Sequence, residues 1–285
     1  MKIAVTGARG LLGRAVVASA AARGHHVIAW TRQHFDITNR SATLRAIALD
    51  SPDAVIHCAA FCDVDRCETE AALAYSVNAT GAGMIAEGAY AVGALLLHIS
   101  SDYVFEGNGD EPIPEDSVRC PRTVYGSSKA EGEDRVRAAH PDATIVRTQW
   151  LFGPGGRDFV STMRRRAEEP GTIEVVDDQW GRPTCTSTLA PALVELAASP
   201  VKGTLHIACE GIATWFDLAD ELFRIENRSV DLQRTDSQRY VRPAPRPRHS
   251  VLDTSKWTKL GRTALPHWKS ALFEHVQDRS NGLPQ

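Results

Sequence analysis

The sequence predicts an α/β fold: a doubly wound parallel sheet of the Rossmann type, with a smaller carboxyl-terminal lobe. Three observations carry that prediction. Apolar runs of strand length alternate with segments of helical spacing from the first residues onward. A glycine-rich turn, VTGARGLLGR, joins the first strand to the first helix. After Trp150 the alternation loosens, and a stretch rich in Pro and Arg follows at 239–250. Regular β-α alternation gives a parallel sheet covered on both faces by helices, and crossovers of this length are right-handed.

Taken in order, residues 2–6 are a short β-branched run and 11–23 have helical spacing. Residues 26–31 read as a strand, 41–49 as a helix and 53–58 as the third strand. One long helix is expected over 70–92, a buried strand over 94–101, a helix over 124–139 and a strand over 143–148. Beyond these, 158–167 and 186–198 read as helices, 172–176 as a strand, and 217–223 as the opening of another helix. The Pro- and Arg-rich stretch is expected to be extended and irregular. The division is therefore residues 1–150, a dinucleotide-binding domain, and 151–285, mainly a substrate-binding lobe with some segments returning to the sheet. Open α/β sheets bind ligands at the carboxyl ends of their strands, where such a lobe would lie.

Bulk properties narrow the class. A net charge of -3 gives no reason to expect nucleic acid or an anionic membrane as partner. The opening MKIAVTGARG enters a strand directly and lacks the apolar core of a signal peptide. No apolar run reaches membrane-spanning length, so a cytoplasmic protein is expected. The six cysteines form no CxxC pair, so they read as free thiols, and no metal is expected.

Gly7, Gly10 and Gly13 form a GxxGxxG turn. Glycine lets the backbone approach a pyrophosphate closely, and the helix amino terminus behind it offers free N–H groups. The second strand ends in AWTRQ, without the carboxylate that takes a ribose 2′-hydroxyl in NAD sites. Arg32 sits where a guanidinium would meet a 2′-phosphate. This favours NADPH, with NADH as the alternative and a plain surface charge as the alternative for Arg32. Asp36 and Ile37 follow as candidates for the adenine pocket, and Ala59 and Ala60, after the third strand, are small enough to let a cofactor lie against the backbone.

VYGSSKAEGE places Tyr125 and Lys129 at i and i+4 on one helix face. A free phenol has a pKa of about 10, and a neighbouring ammonium is expected to lower it toward neutral pH. Ser101 stands at the carboxyl end of the fourth strand, where a hydroxyl would polarise a substrate carbonyl.

These segments resemble the dTDP-4-dehydrorhamnose reductase family, extended short-chain dehydrogenase/reductases. The resemblance runs through TGARGLLG, AAFCDVDRCE, VNATG, SSDYVFEG, YGSSKAEGE, RTQWLFG, DDQWGRPT and RPRHSVLD, nearly the whole chain. It implies reduction of the C4 ketone of a dTDP-4-keto-6-deoxy sugar, with Tyr125 as proton donor, Lys129 as its partner and Ser101 where the family has threonine. It further implies that Leu11, Leu12 and Asn78 border the cofactor. Asp102, Tyr103, Trp150, Gln179, Thr184 and Arg246 would border the sugar nucleotide, and a homodimer is possible. Two alternatives stand beside it. One is an epimerase or dehydratase on the same scaffold, although Asp102 is followed by Tyr103 and not by the second acid of a dehydratase. The other is a non-catalytic dinucleotide-binding regulatory subunit.

Overall fold

The computed structural model describes residues 1–280. From the amino terminus the chain runs β1 (Lys2–Thr6), α1 (Leu11–Ala22), β2 (His26–Trp30), α2 (Arg40–Asp50) and β3 (Ala54–His57). Next come α3 (Val64–Thr69), α4 (Ala71–Tyr75) and α5 (Ala82–Ala91), the last two joined by a π-helical turn at Ser76–Gly81. Then follow β4 (Leu95–Ser101), α6 (Val124–Ala139) and β5 (Thr144–Thr148). The second half holds β6 (Leu151–Phe152), α7 (Phe159–Arg166), β7 (Ile173–Val176), β8 (Trp180–Gly181), β9 (Thr184–Cys185) and α8 (Thr186–Ala198). It closes with β10 (Gly203–His206), β11 (Ala213–Thr214), α9 (Trp215–Ile225), β12 (Leu232–Thr235), α10 (Ser255–Lys259) and α11 (Trp268–Ser280).

Six strands form one parallel sheet in the order β10-β5-β4-β3-β1-β2. Both β2 and β3 flank β1, so the chain reverses direction across the sheet there, and a crevice opens outside the carboxyl ends of β1 and β3. The inner strands β3 and β5 are buried on both faces, which is why AVIH and TIVRT read as continuous runs and not as alternations. On one face α1 contributes Leu12, Val16 and Ala20 to a core shared with Leu189 and Leu193 of α8. On the other, Ile47, Ile85 and Val136 from α2, α5 and α6 cover Ala4, Val55 and Ile145.

Three features depart from the sequence reading. The helix expected over 70–92 is interrupted by the π turn, whose added residue leaves no mark in apolar spacing. The sixth sheet strand, β10, lies in the second half, where a return to the sheet is expected but no strand is read over 203–206. The short strands β6, β8, β9 and β11 are two-residue pairings defined by partners distant in sequence.

One buried ion pair pins α6 to the sheet. Glu133 is 0% exposed and Arg147, on β5, is 2% exposed. Nε and Nη2 of Arg147 each donate to a different oxygen of Glu133 at 2.7 Å, and Ser100 Oγ on β4 donates to the same carboxylate at 2.7 Å. Burial opposes ionisation of Glu133, but Arg147 outweighs it and holds the carboxyl below its ordinary value. Removing one partner strands the other charge in the core. Glu133→Ala is therefore expected to cost on the order of 3–5 kcal/mol in urea unfolding; an unchanged midpoint would contradict this role.

Candidate active site

The crevice is a cleft of about 770 Å³. Its first wall is the turn between β1 and α1. Gly7 has φ +63, and a Cβ there would stand 2.9 Å from Cα of Ala59; a Cβ on Gly13 would stand 2.2 Å from the Gly7 carbonyl oxygen. The turn thus packs backbone to backbone in a way that no larger residue permits. Gly10 caps α1 without a side-chain bond, and the first turn of α1 carries no acid. Its free N–H groups and partial positive charge suit a phosphate. Gly10, Leu11, Leu12, Ala59 and Ala60 also line this cleft.

Beyond β2 the cleft is lined by Arg32, Asp36 and Ile37. The Asp36 carboxylate accepts from the Thr38 N–H at 2.9 Å and from Thr38 Oγ1 at 2.8 Å, and the backbone bond chiefly keeps its pKa low. It is committed to its own turn, whereas the Arg32 guanidinium is exposed at the cleft rim and has no ion pair among the described residues. The residue types present therefore fit a cofactor carrying a 2′-phosphate. Asn78 does not line the cleft. The π turn carries it inward, where Nδ2 donates to the Phe61 carbonyl and to Ser128 Oγ, both at 3.0 Å, and Oδ1 accepts from the Phe61 N–H at 2.7 Å. It clamps the loop after β3 to α6.

The central wall brings β4 and α6 together. Thr123 caps α6 by accepting from the Gly126 N–H at 2.9 Å, which starts the helix at Val124. Tyr125 lies in the first turn and Lys129 one turn on, and both face the cleft with Ser101. Lys129 is 2% exposed, and its Nζ donates to the Ile99 carbonyl of β4 at 2.6 Å. The Tyr125 ring is held edge-on to Tyr103 at 5.4 Å.

The protonation states differ from the sequence expectation. Burial pushes the Tyr125 phenol well above its usual value, and the neighbouring Cys62 adds to this, while the Ser101 hydroxyl pulls the other way. Burial also lowers the pKa of Lys129. Desolvation thus dominates, and Tyr125 is protonated at neutral pH, the form a proton donor requires.

A second cavity of about 290 Å³ adjoins the cleft. Tyr103, Trp150, Gln179 and Arg246 line it, joined by Arg166, Arg242 and Trp215. Asp65 on α3 receives Arg246 at 3.0 Å on each oxygen and Arg242 Nη2 at 2.6 Å. Burial works against ionised Asp65, but the two guanidiniums hold its pKa down to about 2. Thr184 lines neither cavity. It is 0% exposed, and its Oγ1 donates to the Arg182 carbonyl and accepts from the Cys209 N–H.

The sequence reading passed over Arg9, Cys62, Arg242 and Trp215, all of which line these cavities. Arg242 had a signal, the same Pro- and Arg-rich stretch that supplied Arg246. Trp215 had none, because an aromatic at a helix start reads as core. Among the described residues no His, Cys, Asp or Glu cluster is arranged to hold a metal, and no helix is long and apolar enough to cross a membrane.

Asp102, directly after Ser101, is 2% exposed and accepts from Ser101 Oγ at 2.8 Å. Burial pushes its pKa up to about 6. The folded protein then binds this proton more tightly than the unfolded chain, so stability falls as pH rises from the usual carboxyl range through about 6. Asp102→Asn is expected to remove that loss. Its stabilisation relative to the parent should grow by roughly 3 kcal/mol between acidic and mildly alkaline pH. Denaturant unfolding across pH checks this, and a pH-independent difference would contradict it.

A family model described as the RmlD substrate binding domain matches residues 1–281. A dTDP-4-dehydrorhamnose reductase of Streptomyces griseus is 45% identical over 277 residues, 95% of this chain and 91% of that protein. Its counterpart in Mycobacterium tuberculosis is 44% identical, with the same coverage of both chains. The crystal structure of a dTDP-4-dehydrorhamnose reductase from Bacillus anthracis in complex with NADP superposes with a TM-score of 0.95 at 34% identity, covering 97% of this chain and 99% of that one. Matched by the family model over 1–281 and by relatives along nearly their whole length, the chain belongs to the dTDP-4-dehydrorhamnose reductase family.

Proposed function

We propose that this protein reduces the C4 ketone of a dTDP-4-keto-6-deoxy sugar with NADPH, yielding dTDP-L-rhamnose or a related deoxysugar nucleotide. The observation that carries the reading is the meeting of Tyr125, Lys129 and Ser101 in one cleft, between a glycine cradle and an arginine-lined cavity. A Streptomyces niveus relative, 38% identical, is a dTDP-4-keto-6-deoxy-D-glucose reductase, so the hexose configuration is read only as this class.

When bound, NADPH supplies the hydride that the C4 carbon accepts. Ser101 turns its single O–H from Asp102 to the ketone oxygen and draws charge onto it. Tyr125 gives that oxygen its proton, completing the hydroxyl, and takes a proton back from solvent after product leaves. Lys129, fixed by Ile99, holds a positive charge behind the phenol and stabilises the phenolate as it forms. Arg246 and Arg242, aligned by Asp65, suit the diphosphate. A reductase drawing on NADPH and nucleotide sugars works in the cytoplasm, and size-exclusion chromatography reads whether it does so as a homodimer.

NADPH oxidation with dTDP-4-keto-L-rhamnose tests the proposal, and no loss of cofactor absorbance with any dTDP-4-keto sugar would sink it. Tyr125→Phe should lower kcat/KM by about 10²–10⁴ while leaving the fold intact. Arg32→Ala should raise KM for NADPH about tenfold and leave KM for NADH unchanged, in keeping with loss of one charged hydrogen-bonding partner. Equal effects on both cofactors would remove Arg32 from the account.

A further inference from the structure

The Trp215 indole lies flat on that of Trp150, with centroids 3.6 Å apart and planes 5° apart. Both rings line the large cleft and the smaller cavity, so the stacked pair forms the partition between them. Trp150 has φ 48, a left-handed conformation that a bulky residue adopts only when its surroundings impose it. Its indole also presses on the Gly181 backbone, where a Cβ would come 2.4 Å from Cε2.

Trp215 is itself firmly held. It opens α9 directly behind a capping box formed by Thr214 and Asp217. Its Nε1 donates to Gln179 Oε1 at 3.1 Å, and Gln179 Nε2 donates to Ser237 Oγ at 2.7 Å. Ser237 Oγ in turn donates to Asp178 at 2.8 Å. The Phe159 ring packs 4.7 Å from it. Through Gln179 this anchoring chain reaches the smaller cavity, whereas the glycine turn and Arg32 line only the large cleft.

We propose that Trp215 is a positioning residue for the sugar. It fixes the Trp150 ring as the wall that seats the hexose with C4 at Tyr125, and so acts on sugar-nucleotide binding and not on cofactor binding. The proposal rests on the reductase reading above. Losing the stack frees Trp150 from its imposed conformation, and a small displacement of the wall misplaces C4 relative to the proton donor.

The test uses Trp215→Ala and the conservative Trp215→Phe, with Trp215→Leu in place of the alanine variant should that one not fold. Circular dichroism reads the exciton couplet of two stacked indoles, expected in the parent and lost in every variant. KM for the 4-keto sugar nucleotide should rise about tenfold in Trp215→Ala and stay within about threefold in Trp215→Phe, in line with the strength of an aromatic pair. KM for NADPH should stay within about twofold in both. An unchanged sugar KM in Trp215→Ala, or an equal rise in both KM values, overturns the proposal. Calorimetry with dTDP-glucose separates the two readings. A parent protein that oxidises no NADPH ends the reductase reading, while weaker dTDP-glucose binding by Trp215→Ala still supports the role of Trp215 and unchanged binding still overturns it.

Discussion

A buried ammonium organises the site. Lys129 has almost no contact with solvent, yet its Nζ is bonded to the Ile99 carbonyl at the end of β4. That bond fixes the distance between α6 and the strand end that carries Ser101 and Asp102. One turn further along α6, Glu133 binds Arg147 of β5 and Ser100 of β4. The helix is thus fastened to two neighbouring strands at two levels, and Tyr125, one turn before Lys129, has little freedom left. Burying these charges is costly, and the arrangement holds only because each has a partner with directional bonds. A site built in this way trades stability for placement, as rigid-element sites generally do.

The same economy of space governs the two cavities. The first exists because Gly7 and Gly13 let the β1–α1 turn touch the backbone after β3, leaving α1's amino terminus open toward the cleft. The second is bordered by arginines that Asp65 holds in place from α3, on the far side of the sequence. Trp150 separates them. In the function proposed here, two molecules of different chemistry meet edge to edge at the ends of β4 and β5, with the Tyr125 phenol, its pKa raised by burial, at the junction.

Much of this was legible in the sequence because it is written in local patterns. The alternation of runs marks the sheet, the glycine spacing marks the cradle, and the four-residue spacing marks Tyr125 and Lys129. What escaped depends on contacts distant along the chain. The π turn that moves Asn78 away from the cleft has no periodic signature, and β10 is recognisable only by its pairing with β5. Thr184 lies in a motif bordering the cavity but spends its hydroxyl on Arg182 and Cys209. The direction of the Tyr125 shift differs from the expectation for a related reason: spacing reveals the neighbouring amine, while the depth of burial that raises the phenol's pKa is a tertiary property.

The most direct measurement is a crystal structure with NADP⁺ and dTDP-L-rhamnose bound. The account predicts the Tyr125 hydroxyl and Ser101 Oγ within about 3.2 Å of the sugar O4, with C4 facing the nicotinamide. A sugar ring whose O4 points away from both hydroxyls, with Tyr125 bonded elsewhere, would contradict it.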